Sequence, residues 1–443
     1  MYHHSCQSFI YKDMEFILNI ISPSKKQEFM GQTSSNSEIR AQQHSREDNY
    51  KYPQSPSKSD LLPRMQANSL DIGNNLIAEG ERQHWRREVR SHSNFEGSNA
   101  ARSQVCNDDF ERIKVLGLGS FGKVTLVRKK DSQNVYALKE IKKGGLTPRM
   151  RARIQMERNV MALHRNDFIV KLHYAYQDSE KVYMVMDYCA GGDLYFHLHP
   201  SRRGKNRSGL AKFVTSQVLL AIGHLHSHGI VYRDLKPENV LFDHEGYVKL
   251  ADFGLSKGGV FSPTQGATSV CGSLHYLAPE VLMLPQRPSR SEYGFAADYF
   301  GLGVLLYEML FGLPPWFAPT RHEMVEQVKT RPLHLSSRIP PNIKDFLSRL
   351  LEMQPEQRLG SRGVLEIKSH PYFKDVSWEK LSKRQYAPCF VPDAQEMACN
   401  FDTSYTCLPV DSSFHDEFAP PASEDDGSDH DESVILDFEY HSQ

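Results

Sequence analysis

Residues 231–254 read VYRDLKPENVLFDHEGYVKLADFG, and no other stretch of the 443-residue chain narrows its possible folds so far. Two carboxylates, Asp234 and Asp252, stand here with Lys236 and Asn239 between them. After Asn239 apolar and polar residues alternate, first through Val240 and Phe242 and again over Tyr247, Val248, Lys249 and Leu250. His244, Glu245 and Gly246 separate the two runs. Alternation with period two on either side of a glycine-containing turn predicts a short hairpin. One acidic loop leads into it and a second leaves it.

Such an arrangement suits phosphoryl transfer, which asks a protein for positioning and charge neutralisation rather than covalent chemistry. One carboxylate orients the attacking hydroxyl. The other, with an amide, holds Mg²⁺, an ion that takes hard oxygen ligands and keeps part of its water. Upstream, residues 110–116 alternate like a strand and run into Gly117-Leu118-Gly119-Ser120-Phe121-Gly122. Dinucleotide-binding folds use the same glycine spacing, but there it opens a helix. Here Val124-Thr125-Leu126-Val127 follows, a second strand, so a glycine-rich hairpin over phosphates is expected. The run 135–139 then puts Lys139 at a strand end. Residues 149–163 carry helical spacing, with Ile154, Val160, Met161 and Leu163 as buried positions and Glu157 placed to pair with Lys139. That pair would keep the lysine aimed at the α- and β-phosphates.

Further along, strands are expected at 169–174 and 181–186, followed by a hinge at 187–190 that offers backbone groups to an adenine edge. Gly191-Gly192 breaks into a new helix, and 210–226 is an amphipathic helix with Gly229 just past its end, a favoured place for glycine. The basic loop 201–207 is read as a solvated loop. A Gly, Ser and Thr-rich segment, 255–277, ends in Leu277-Ala278-Pro279-Glu280. Asp298 precedes an apolar helix at 301–311, and a buried Glu280–Arg358 pair would fix the segment's far end.

Charge is unevenly spread. The net of −1 hides a middle, 106–384, with 40 basic and 28 acidic residues, and an end, 385–443, with 14 acidic residues and no Lys or Arg. An acidic end on a basic middle is expected to pack on its own domain. Residues 1–105, rich in Ser, Gln, Asn and charge, are expected to be mostly disordered. Their apolar patch at 16–21 is too short to span a membrane, and 84–90 reads as a short basic helix. Seven scattered cysteines show neither metal-ligand spacing nor a compact disulfide framework, which fits a reducing compartment. The expected location is the cytoplasm, with the nucleus as a second one.

Taken together, these motifs resemble an AGC-group serine/threonine protein kinase over roughly 110–440. Tyr232-Arg233-Asp234 stands where many kinases have His-Arg-Asp, Asp252-Phe253-Gly254 is intact, and Cys271-Gly272-Ser273 precedes the Ala278-Pro279-Glu280 motif. Within the group the chain is most similar to the ribosomal protein S-six kinases, through residues 221–226 and the tail runs 401–406 and 408–412. The resemblance implies an α+β, bilobal fold: a catalytic domain at 110–373, then a C-terminal tail at 374–443 with a turn motif and a hydrophobic motif.

By the same resemblance Asp234 is the base, Lys236 contacts the transferring phosphate, and Asn239 and Asp252 hold Mg²⁺. Gly117, Gly119 and Gly122 cover ATP, while Leu116, Val124, Ala137, Met186 and Leu241 line the adenine slot. Asp193, Glu238 and Glu308 read arginines upstream of the target Ser or Thr. Ser269 is the activation-loop phosphorylation site, with Arg233 as partner, and Ser412 the turn-motif site. Phe438, Glu439 and Tyr440 form the tail motif, Glu439 standing where a phosphorylated hydroxyl is usual. Implied partners are protein substrates and an upstream kinase of the phosphoinositide-dependent type; a monomer is expected, and no nucleic acid. Departures exist: Ser273 replaces Thr, the 283–294 loop is longer, and Gly-Leu-Gly after Phe300 replaces a tryptophan-containing stretch. A scaffold that has lost catalysis is the alternative, as is a small-molecule phosphotransferase.

Overall fold

The glycine-rich stretch joins two strands rather than opening a helix. The computed structural model describes residues 105–119, 122–198, 207–286, 291–337, 339–393, 396–410, 435 and 438–442. The readings made at 1–104, at the basic loop 201–206 and at Ser412 lie outside these residues, as does part of the 283–294 loop.

β1 (Phe110–Gly119), β2 (Gly122–Lys129) and β3 (Val135–Lys142) pair antiparallel in sequence order. β5 (Lys181–Asp187) continues the sheet, then β4 (Leu172–Gln177), then the chain's last strand, β8 (Tyr440–His441). Side chains alternate across it, as the pleat requires. Leu126 and Ala137 face one way, with Leu116; their neighbours Val127 and Leu138 face the other, with Phe110, Tyr176 and Tyr183. The sheet thus has a closed aromatic face and a second face that lines a slot.

The strand expected at 169–174 begins instead at Leu172. Ile169 bridges to Leu250 and the Val170 N–H donates to the Leu250 carbonyl at 2.9 Å, so these residues are bonded to another hairpin and leave the sheet. Between β3 and β4 runs α1 (Pro148–Leu163). Thr147 caps it, its hydroxyl accepting the Met150 N–H, and Pro148 occupies the first turn, where its missing N–H costs nothing. Ile154, Val160 and Met161 are buried as expected, but Leu163 is half-buried, and Glu157 and Arg158 take interior positions instead.

The rest is a helical lobe. It comprises α2 (Leu194–Leu198), α3 (Arg207–Ser227), the hairpin β6 (Val240–Phe242) and β7 (Val248–Leu250), and α4 (Pro279–Leu282). α5 (Ala296–Phe311), α6 (Arg321–Thr330) and α7 (Pro341–Leu350) complete it, with short helices at Val364–Lys368, Trp378–Ser382 and Thr403–Thr406. A β-rich small lobe and a helical large lobe make the α+β, bilobal arrangement. α3 and α5 pack against each other through the main core, which explains why most of α5 is apolar and buried. α5 starts earlier than expected and takes Asp298 into its first turn. Gly229, at φ +67°, ends the α3 region, and a Cβ there would meet the Phe261 ring. The Glu280–Arg358 pair is buried and bidentate at 2.7 and 2.9 Å. Among the described residues all six cysteines are free, and no helix is long and apolar enough to cross a membrane.

Candidate active site

The segment between α3 and β6 is held from below by one carboxylate. Asp298 accepts the N–H groups of Tyr232 and Arg233, each at 2.8 Å, and lies 2.7 Å from His226 Nε2. Tyr232 is buried, its hydroxyl donating to the Ala251 carbonyl at 2.6 Å and its ring edge-on to Phe253. Tyrosine thus ties the loop before β6 to the loop after β7. Arg233 and Asp252, one in each loop, are non-glycine residues at positive φ, +72° and +54°. Such backbone costs on the order of 1–3 kcal/mol per residue and persists where its surroundings over-determine it.

Asp234 sits at the loop's apex, buried, with both carboxylate oxygens engaged. Oδ2 accepts from Lys236 Nζ at 2.9 Å and Asn239 Nδ2 at 3.0 Å. Oδ1 accepts from the Ser273 N–H at 3.2 Å and the Ser273 hydroxyl at 3.0 Å. Serine therefore makes the bond expected of threonine at this place. Asn239 also donates to the Asp234 carbonyl at 2.8 Å, which leaves its amide oxygen turned from that pair. Burial disfavours the Lys236 ammonium, but Asp234, with Glu238 and Asp252 beyond it, more than offsets this and raises its pKa.

Across from this loop, Lys139 of β3 donates to both oxygens of Glu157 on α1, at 2.6 and 2.8 Å. Desolvation works against the lysine's charge, yet Glu157 and Asp252 together hold its pKa above the ordinary value. Asp252 thus lies within electrostatic reach of Lys139, and its Oδ1 accepts the Gly254 N–H at 3.2 Å. Oxygen donors from Asp252 and Asn239 are the hard set that magnesium prefers.

Leu116, Val124, Ala137 and Met186 gather into one apolar cluster. Leu241 packs instead against the main core of the large lobe, which Met186 also borders. The cluster also takes in Tyr188, from the expected hinge, and two residues that the sequence did not place at the slot, Ala398 and Phe401. The Tyr188 hydroxyl accepts the Ala398 N–H at 2.9 Å, and its ring stacks near-parallel on Phe401. Gly192 explains why the chain passes so close: a Cβ there would strike the Asn400 carbonyl. The run 401–406, noticed as a tail motif, held this signal. The three glycines differ too. A Cβ at Gly122 would hit the Glu140 carbonyl at 2.2 Å, a packing demand, whereas among the described residues nothing lies within 4 Å of one at Gly117 and only ordinary contact meets one at Gly119.

Of the three acids expected to read arginine, two come together. Asp193 starts α2, accepting the Phe196 N–H at 2.7 Å, and burial, aided by the Glu238 and Asp402 carboxylates, pushes its pKa up to about 6. Glu308 on α5 accepts from the Tyr276 hydroxyl. Arg233 Nη1 donates to the Ser269 hydroxyl at 2.9 Å and lies 3.1 Å from Tyr293 Oη, in a cleft also lined by Arg149, Arg153 and Lys257. At the chain's end Phe438 and Ile435 are buried, and Arg158 of α1 donates to the Phe438 and Glu439 carbonyls at 3.2 and 2.6 Å. Gln177 exchanges two bonds with the Ile435 backbone, and β8 pairs with β4.

The family model described as "Protein kinase domain" matches residues 110–373. "Serine/threonine-protein kinase gad8" of Schizosaccharomyces pombe is 41% identical over 309 residues, 69% of this chain and 53% of that protein. "Serine/threonine protein kinase ypkA" of Aspergillus fumigatus is 42% identical, over 69% of this chain and 47% of its own length. "Ribosomal protein S6 kinase alpha-6" of Homo sapiens is also 42% identical, over 68% and 40%. The chain spans about half the length of the curated relatives it matches. On this match and these relatives, the chain belongs to the protein kinase domain family, in its AGC group of serine/threonine kinases.

Proposed function

We propose that this chain transfers the γ-phosphate of ATP to serine or threonine of proteins carrying arginine upstream of the target. The observation that carries the reading is Asp234, whose two oxygens are fixed by Lys236, Asn239 and Ser273, with Asp252 and the Lys139–Glu157 pair beside it. When bound, Mg-ATP supplies the phosphoryl group and neutralises the charge that develops on it. Asp234 orients the substrate hydroxyl and takes its proton. Lys236 contacts the phosphate in flight, Lys139 aims at the α- and β-phosphates, and Asn239 and Asp252 offer oxygens to the metal. Leu116, Val124, Ala137 and Met186 hold the adenine, with Phe401 closing the slot from the tail. Asp193 and Glu238 read arginine, for which a fixed fork of donors matches a carboxylate.

Regulation in this reading has two parts. A phosphate on Ser269, placed by an upstream kinase, would add about −1.5 to −2 charges beside Arg233 and order the 255–277 segment. The tail end, by contrast, docks without modification, because Glu439 brings its own charge and Phe438 its buried ring. The complete acid and lysine set leaves a non-catalytic scaffold without support. The test incubates the full chain, phosphorylated on Ser269, with Mg-ATP and a serine peptide carrying arginine three and five residues upstream. Phosphoserine forms with wild type and not with Asp234→Asn. Equal incorporation by both, or none by wild type, would refute the reading.

A further inference from the structure

Three imidazoles meet where α1 ends and the approach to Asp234 begins. His164 caps the C-terminus of α1, about two turns past Glu157. His224 lies in the last turn of α3, and His228 just beyond it, before Gly229. The rings pack with centroids 4.5–5.7 Å apart, and one nitrogen from each lies within 4.8 Å of the other two. His164 Nε2 and His224 Nε2 are buried and have no hydrogen-bond partner among the described residues. A buried polar atom left so costs about 1–3 kcal/mol and calls for an explanation. His228 Nδ1 lies 2.8 Å from the His224 carbonyl, an oxygen that only accepts. Nδ1 therefore carries the proton and Nε2 keeps its lone pair, the outer-shell bond that orients histidine ligands at metal sites.

We propose that His164, His224 and His228 form a site for a divalent transition metal of the zinc class, joining the end of α1 to α3. Three nitrogens and no carboxylate disfavour magnesium or calcium and suit zinc, copper or nickel. Burial, together with the neighbouring imidazoles, pushes His164 down to about 3 and His224 to about 4, so both remain neutral donors near pH 7. Tetrahedral zinc with Zn–N of about 2.0–2.1 Å sets its nitrogens roughly 3.3 Å apart, so closing from 4.8 Å takes small ring rotations. A fourth position stays open, as in sites with three protein ligands. Bound metal would brace α1, and so Glu157, against the segment that leads into Tyr232. The site itself stands independently of the kinase reading.

The test titrates the metal-stripped full chain with Zn²⁺ alone, in competition with a chromogenic chelator. Wild type, His228→Gln and His164→Val are compared, with circular dichroism to check folding. Other histidines, including His3 and His4, are common to all three and cancel in the comparison. Wild type is expected to hold one more tight equivalent than either variant, affinity at that site falling at least about 100-fold. Zinc should raise the melting temperature of wild type alone. Equal tight equivalents in all three, or loss in only one of two folded variants, would overturn the site. If His164→Val misfolds, His228→Gln decides by itself.

Discussion

Replacing Phe438 by alanine should undock the chain's end and slow the enzyme without unfolding it. The ring is 1% exposed and belongs to the main core. Truncating a buried phenylalanine costs about 3–5 kcal/mol where the surroundings stay in place. Here they need not stay, since the segment can leave. The loss is then capped by the docking free energy itself, a small difference between large terms. Arg158's two bonds to tail carbonyls, each worth about 1.5–3 kcal/mol for a charged donor, and Gln177's two bonds to Ile435 oppose the cost of ordering the segment. Losing about 3 kcal/mol from that balance shifts the docking equilibrium by roughly 100-fold. α1 then loses its outer support, and the Lys139–Glu157 pair its fixed geometry. The assay is kcat/KM on an arginine-containing serine peptide, with wild type and variant both phosphorylated on Ser269, alongside hydrogen exchange of the α1 amides. Turnover and α1 protection should fall together, and Glu439→Gln should show a milder loss. Wild-type turnover in Phe438→Ala refutes the reasoning; so does reduced turnover with α1 fully protected.

Asp234→Asn and Asp252→Asn should each lower turnover by about 10²–10⁴-fold, and only the second should also weaken magnesium-dependent nucleotide binding. Asp193 titrates near 6, so below that pH its neutral form dominates and cannot pair with arginine. The kcat/KM ratio between arginine-containing and arginine-free peptides should therefore drop up to about tenfold from pH 7 to pH 5; a flat ratio counts against Asp193 as the reader. Ser269→Ala, measured after treatment with an upstream kinase, should lose at least about tenfold in activity, and a variant as active as wild type removes the switch from this loop. Burial works against the Asp187 charge, but His173, Lys249 and the Lys171 N–H outweigh it and hold the carboxyl down at about 2. A depressed acid stabilises the fold above its unfolded pKa and loses that contribution as pH falls through the folded one. Asp187→Asn should thus cost roughly 2–3 kcal/mol near neutral pH, with the gap to wild type closing between about pH 4 and 2; chemical denaturation across that range checks it.

What the sequence made legible was local or carried by short motifs. The hairpin at 240–250 follows from alternation and Gly246, whereas Lys139, expected at a strand end, lies inside β3, which runs on to Lys142. The boundary at Leu172 was not legible, because Ile169 and Val170 are as apolar as strand residues, and only their pairing with Leu250 takes them out of the sheet. Glu308 accepts from the Tyr276 hydroxyl, a partner the sequence did not announce, since an acid on a helix carries no mark of what it meets. Phe401 was hidden for a related reason. An aromatic residue in an acidic tail gains meaning only when the tail crosses the hinge, and that crossing rests on what Gly192 lacks.

The helix α1 shows why pattern reading stops where it does. Its interior positions include an acid and a base in succession, Glu157 and Arg158, which a hydrophobic pattern would assign to solvent. Each is buried because its partner arrives from elsewhere in the chain: β3 supplies the lysine for one, and the chain's last residues supply carbonyls for the other. Neither burial is affordable alone, since an unpaired buried charge is disfavoured by several kcal/mol. The two are adjacent in sequence and point to opposite neighbours, so moving the helix to improve one contact strains the other. His164 adds a third tie at the same helix's end, toward α3. α1 is thereby positioned by the nucleotide-side sheet, the tail and the large lobe at once, and a change in any of the three reaches Glu157 through a rigid body of four turns.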